Sequence, residues 1–474
     1  MLPAEVQALI DDTRARLREW LTRDVERSSL GDLLAAEELA GEVGRALSLG
    51  MVEDFVQVRL EHALANREPC ACGHIRAVLQ RTQWTRKTPF GPLVVTDVYT
   101  YCRDCRDSER PLHQWLGTGK ETWSLLVQED VVDLASDESC AKAVAKLERH
   151  HPGVQMGRTT ALRFLHEHGK RARAFIDAKL AAARETCDAS PSDPTPGVEE
   201  LEVQYDAGMI PVATLEPIPP KPGEEPDLSP VRKLARRRKL TRYEEVKAGL
   251  VQKPGEADRL YTLRPTGGLT EAFRDLHDLA LLKGMDEETE VRGIADGARY
   301  IRSRLEEAFG EGTFRFILDR PHCKEHLSEA GSALEEQTGT PAQEWARSAL
   351  VQLEAGETQA VVDELVQAWE RSGETPERRD DRLRLAAGYF QRNADAVAYA
   401  EYRANGWSTA SSEVESCHNS IVQPRLKIGG AFWHPDNVDN ILALRVLKAN
   451  GWWQDYWTEE RRKWRLKAEE LRTA

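Results

Sequence analysis

The sequence has no run of about 18 apolar residues, so it predicts no membrane-spanning helix. Its first residues, MLPAEVQALIDD, lack a basic flank followed by an apolar core, and no secretory leader is expected. Positive charge is also short: 65 Lys and Arg stand against 79 Asp and Glu, a net charge of −14. That balance argues against general attraction to nucleic acid, but binding depends on local clusters rather than on the total. Cysteine is sparse. Of eight, four fall in two close pairs, and Cys140, Cys187, Cys323 and Cys417 are scattered, which suits a reducing cytosol better than a disulfide scaffold. A chain of 474 residues, 41% hydrophobic and 30% charged, reads as soluble and globular, and too long for a single core.

What is present begins with a helical stripe through Val6, Leu9, Ile10, Leu17, Trp20 and Leu21, continued from Leu30 to Leu64. Next, Cys70-Ala-Cys72-Gly-His74 and Cys102-Arg-Asp-Cys105 bracket two alternating runs, Ala77 to Lys87 and Leu93 to Tyr101, joined at a Pro-Gly turn. Two cysteine pairs around a hairpin is the layout of a zinc ribbon, in which four thiolates satisfy tetrahedral Zn²⁺. The first pair is C-x-C where C-x-x-C is usual, and His74 is an alternative donor. Residues 125–135, 140–147 and 161–173 carry helical patterns with a turn at His150 to Gly153, a helix-turn-helix plan. On that plan Arg158, Thr159, Thr160 and Arg163 would meet DNA. The stretch VRKLARRRKLTR, Val231 to Arg242, holds seven Lys or Arg in twelve positions and reads as a basic surface loop, with Arg232, Arg236, Arg237 and Arg238 as phosphate contacts.

The second half carries three short apolar runs that each meet an aspartate. Leu201 to Tyr205 ends on Asp206, Val291 to Ala295 on Asp296, and Phe314 to Leu318 on Asp319. The expectation is two antiparallel strands around Asp206, a third over Tyr243 to Val251, a helix over Leu269 to Leu282, then strand, helix, strand. That order is the order of an RNase H-like fold, with the first and fourth strands adjacent. Asp206 and Asp296 would then face each other, and two apposed carboxylates suit a bound Mg²⁺. A later acid, Glu415 or its neighbour Glu413, would complete a site for two-metal phosphoryl transfer. Asp319 is the alternative second ligand. Residues from Gln337 to about Asn405 show helical stripes and no strand.

The ordered series resembles the bacterial insertion-sequence DDE transposases, specifically the Kra-type group of the Mutator-like superfamily. The resemblance rests on the cysteine pairs, the helix-turn-helix, Asp206-Ala-Gly208, Ala295-Asp296-Gly297-Ala298, Asp319-Arg-Pro-His322, and Val414-Glu415-Ser416 with downstream Arg425, Lys427 and Trp433. It implies Asp206, Asp296 and Glu415 as catalytic ligands of two Mg²⁺ ions, which Mn²⁺ can replace. Asp319 and His322 would be a supporting motif, Arg425 and Lys427 DNA contacts, and Cys70, Cys72, Cys102 and Cys105 a structural zinc site. The implied partners are terminal inverted repeats and target DNA, with the protein at least a dimer when two ends are synapsed, in the cytoplasm at the nucleoid. The implied architecture is multidomain α+β and α/β. Its segments are a helical region (1–66), a zinc-ribbon-like hairpin (67–118), a helix-turn-helix (119–184), a linker (185–199), an RNase H-like mixed sheet (200–336), a helical insertion (337–405), and the last core part with a C-terminal helix (406–474). A domesticated DNA-binding protein without cleavage is the competing expectation.

Overall fold

The computed structural model describes residues 4–24, 33–112, 122–188, 197–218, 237–310, 314–373 and 375–473. It is a mixed α+β protein with a three-stranded and a five-stranded sheet. Two compact units divide it: residues 1–128, 147–155 and 461–474 form one, and 129–146 with 156–460 the other.

In the first unit, helices α1 (Ala4–Asp24) and α2 (Leu33–Ala65) precede an antiparallel hairpin, β1 (Ala77–Thr88) and β2 (Gly91–Tyr101), with a short β3 (Ser108–Glu109) at its edge. The hairpin closes at Thr88 and Gly91, and Gly91 takes the positive φ that a tight turn requires. Alternate residues of β2, Leu93 and Val95, with Val98, pack on Val56 and Leu60 of α2 and on Leu112.

The chain continues through α3 (Leu125–Asp137), α4 (Cys140–His150) and α5 (Arg158–Asp188) to the large sheet, which belongs to the second unit. Its strands are β4 (Glu200–Pro217), β5 (Arg237–Gln252), β6 (Arg259–Arg264), β7 (Glu290–Ala295) and β8 (Phe314–Leu318), in the order β6-β5-β4-β7-β8. The first three pair antiparallel, while β4 with β7 and β7 with β8 pair parallel. Two expectations need correction. Asp206 does not end a strand: Ala207 and Gly208 stay extended and paired with Lys247 and Val246, so one strand continues to Pro217. What stops at Tyr205 is the pairing with β7. The third antiparallel strand is β6, which its polar neighbours Lys253 to Asp258 hid from the apolar pattern.

Helix α6 (Leu269–Leu282) covers one sheet face, where Tyr205 stacks on Phe273 with ring centroids 4.6 Å apart. Helix α7 (Arg299–Phe309) makes the crossover between β7 and β8. After β8 the chain is helical through α8 (Arg320–Thr338), α9 (Ala342–Glu354), α10 (Thr358–Arg371), α11 (Asp381–Arg392) and α12 (Tyr399–Ala404). It then forms α13 (Ser412–Cys417), one π-helical turn (His418–Val422), α14 (Gln423–Leu426), α15 (Pro435–Ala449) and α16 (Trp453–Thr473).

Helix α5 runs well past the expected end at Arg173, because Ala181 to Ala183 are strong helix formers and its inner face is covered. Arg173 donates to Asp439 on α15 and to the Leu263 carbonyl, and Arg184 donates to Asp278 on α6. Gly169 lets α5 and α15 touch: a Cβ there would lie 2.5 Å from the Asn440 carbonyl oxygen and 2.7 Å from its Cα. Backbone cannot yield as a side-chain tip can. We expect Gly169→Ala to lower unfolding stability in urea by about 1–3 kcal/mol, the usual cost of overpacking. Gly44→Ala, on an exposed face of α2 with open space around it, should leave stability unchanged or slightly raised.

Candidate functional site

Parallel pairing of β4 with β7 ends at Tyr205 opposite Ala295. Asp206 and Asp296 are the next residues of each strand path, side by side at the carboxyl rim of adjacent chains about 4.8 Å apart. Ligand sites of such sheets gather at this rim. Successive side chains alternate faces, so Asp206 lies opposite Tyr205, on the face shared with Gln204 and Gly208. That face receives α13 and the π-helical turn. Gln204 Oε1 accepts from the Val414 amide at 3.0 Å, tying the sheet centre to the start of α13. One turn later His418 lies over β4, with Nε2 3.8 Å from Asp206 Oδ2. Its charged surroundings include Asp206, Lys427 and Glu415, which is exposed on α13. Burial lowers the pKa of His418, against the opposing pull of Asp206. Glu413, the other candidate acid, is taken by Arg259 at 2.7 Å.

Asp319 is buried and its bonds are structural. Oδ2 accepts from the His322 amide at 3.0 Å, capping α8, and from His322 Nδ1 at 2.7 Å. Oδ1 accepts from the Ser411 amide at 2.5 Å, which anchors the segment entering α13. With both oxygens so engaged, Asp319 organises the rim and is no free ligand. Burial alone would raise its pKa, but these hydrogen bonds hold it below the usual carboxylate range. The same contact raises His322 to about 9, with Asp296 and Asp206 adding to the effect. Asp296 also accepts from Tyr389 Oη at 3.1 Å. Burial raises the Tyr389 pKa, so the phenol remains a donor. Tyr389, His418 and Gln204 escaped the sequence reading. His418 sits one helical turn beyond Glu415, a signal that was there to find; Tyr389 and Gln204 carry none.

The other expected residues are dispersed. Arg158, Thr159 and Arg163 are exposed at the start of α5 and Thr160 is half-buried. Arg163 is engaged by Glu167 at 2.9 Å and stacks over Phe164. Arg237 and Arg238 are exposed, but on β5 rather than in a loop, opposite Pro217 and Glu216. Arg232 and Arg236 lie outside the described residues. Arg425 is a correction: it is buried, donates to the Ala135 carbonyl at 2.9 Å and stacks over Trp433, so it braces the core and does not face a phosphate. Lys427 is exposed.

In the first unit the Sγ atoms of Cys70, Cys72, Cys102 and Cys105 all lie within 4.8 Å of one another. A second set shares two thiols and adds His74 and Asp104, themselves 3.0 Å apart. Backbone turns place the first pair: the Gly73 amide donates to the Cys70 carbonyl and the Cys70 amide to the His74 carbonyl. The hydrogen bond between Cys72 and Cys70 lowers the first thiol of the pair, Cys70, to about 6 by stabilising its thiolate, and raises Cys72 to about 12 because its ionisation would break that bond. Crowded thiols that cannot ionise together fit a divalent cation, and these four could hold zinc. Among the described residues, Asp206, Asp296 and Glu415 do not form a comparably tight donor group. None of the described helices is long and apolar enough to cross a membrane.

No family model matches the chain, and no curated protein does.

Two outcomes follow. Zinc content should be about one per chain for the intact protein and fall sharply in Cys102→Ser, with Cys140→Ser unchanged, as read by metal analysis after gel filtration. His322, followed by NMR in chelator, should titrate near 9 and return toward 6.5 in Asp319→Asn. A raised folded pKa stabilises below the unfolded value, so this contact contributes fully below about pH 6.5 and is lost as pH rises through about 9. The effect should be about 1–2 kcal/mol, given solvent screening at a side chain one-third exposed.

Proposed function

We propose that the chain is a DDE-type DNA transposase that binds the terminal inverted repeats of an insertion sequence and performs metal-dependent strand cleavage and transfer. The observation that carries this reading is the β4–β7 register, which sets Asp206 beside Asp296, with the helix of Glu415 tied to the same rim through Gln204. The strand order β6-β5-β4-β7-β8, antiparallel then parallel, agrees with an RNase H-like core.

On this reading Asp206, Asp296 and Glu415 would hold two Mg²⁺ ions, which Mn²⁺ could replace, and the bound metal would supply activation of a water or a 3′-hydroxyl and stabilisation of the leaving oxygen in an in-line displacement. The chain's own residues do the positioning. Tyr389 fixes the Asp296 carboxylate by donating to it. Asp319 holds the start of α8 and the approach to α13 together, and His322, charged at neutral pH, offsets the acids. Arg237 and Arg238 on β5, Lys427, and Arg158 and Thr159 at the tip of α5 offer phosphate contacts. Synapsis of two DNA ends needs at least a dimer, in the cytoplasm at the nucleoid. Zinc at the four cysteines would stiffen the hairpin unit.

A second reading, a domesticated DNA-binding protein that no longer cuts, is favoured by the looser spacing of the three acids. The test is cleavage and joining of labelled DNA bearing the element's own terminal repeats, with Mg²⁺ or Mn²⁺. Cutting should fall on the order of a thousandfold or more in Asp206→Ala, Asp296→Ala and Glu415→Gln. Asp319→Asn should lose stability before it loses chemistry. Repeat-specific binding with no cutting in the intact protein would select the second reading, and loss of cutting in a folded Asp319→Asn alone would displace Asp296.

A further inference from the structure

His418 is 93% buried at the side chain, yet its Nε2 has no hydrogen-bond partner among the described residues. A buried imidazole nitrogen without a partner is costly, and native proteins rarely leave one without a purpose. This one points at the acid rim, 3.8 Å from Asp206 Oδ2, beyond hydrogen-bonding distance. Two features of the chain bring it there. The π-helical turn His418–Val422 follows directly on α13, the helix that carries Glu415, and shifts the register there. Such turns are rare, and they are frequent at functional sites. Gly208, two residues beyond Asp206 on the same face of β4, leaves the space: a Cβ at that position would lie 2.6 Å from His418 Nδ1 and 2.7 Å from Cε1. The glycine after Asp206-Ala is therefore a seat for the ring.

We propose that His418 is a fourth donor of the site formed by Asp206, Asp296 and Glu415, a nitrogen ligand that biases it toward Mn²⁺ over Mg²⁺. The proposal rests on the reading of this rim as a metal centre. Its chemistry is that of donor preference. Mg²⁺ is held almost wholly by oxygen and keeps its waters, whereas imidazole nitrogen suits transition metals. Three carboxylates alone would not discriminate strongly between the two ions. One imidazole among them gives the heavier ion an advantage that depends on a single side chain.

The test uses the full chain with Mn²⁺ or Mg²⁺ alone and no DNA. Electron spin-echo spectra of bound Mn²⁺ should show coupling to an imidazole nitrogen in the intact protein. In His418→Gln the coupling should disappear and the Mn²⁺ Kd rise about 10- to 100-fold, with the Mg²⁺ Kd moving less than about threefold. Gly208→Ala, which displaces the ring without removing it, should weaken the coupling, and serves if His418→Gln does not fold. His322→Gln should leave the coupling intact. Absent coupling in the intact protein overturns the proposal. So does coupling that survives His418→Gln, coupling lost in His322→Gln, or weaker Mn²⁺ binding without any nitrogen signal, which would make His418 a positioner of Asp206. Mn²⁺ that binds the Asp206→Asn, Asp296→Asn double variant as well as the intact chain overturns the metal-centre reading itself, a result separate from the nitrogen signal.

Discussion

The parallel register of β4 against β7 is the constraint on which the second unit depends. Because pairing stops at Tyr205 and Ala295, the two following aspartates come out as neighbours. A one-residue slip would turn one of them to the other face. The register is held by burial on both faces. Leu201, Val203 and Tyr205 lie on the face that α6 covers, and Val291 and Ala295, their partners on β7, continue the same layer. On the other face, buried Glu202 accepts from both Gln204 and Gln252, and Gln204 accepts in turn from the Val414 amide, so these polar groups at the sheet centre are partnered.

Distant segments reach that rim through a few buried hydrogen bonds. Gln204 takes the Val414 amide and Asp319 takes the Ser411 amide, so two acceptors from the sheet region locate the start of α13. From the long helical run, α11 returns Tyr389 to Asp296 and Asn393 to the Gly297 carbonyl. A Cβ on Gly297 would meet Asn393 and Leu318 within 2.6 Å, which explains the glycine after Asp296 by close approach. The helical run is thus part of the rim's construction, although nothing in its apolar stripes says so.

The cysteine cluster works by the opposite logic. Its donors come in two local pairs, each placed by a tight turn, and one hairpin brings the pairs together. Spacing along the chain then nearly equals spacing in the fold, and the four thiols were legible as a group. The C-x-C irregularity is absorbed by the turn at Gly73, which has the positive φ natural to glycine.

The sequence by itself determined the elements whose periodicity is strong and local: the hairpin, α6, the β7-α7-β8 crossover, and the helical character of the run after β8. It also marked Asp206 and Asp296, because apolar runs that meet an acid show in one dimension. It misjudged Asp206 as a strand end, since Ala-Gly looks like a turn until β5 is there to pair with it. It placed Arg425 on a DNA surface, whereas burial against Trp433 and the Ala135 carbonyl makes it a brace. Only the tertiary structure decided that Asp319 is consumed by His322 and Ser411, that Glu413 belongs to Arg259, and that His418 turns inward over Gly208. The physical reason is common to all of these. Whether a charged side chain is a ligand, a cap or a brace depends on which partners reach it across the fold, and those partners lie far away along the chain.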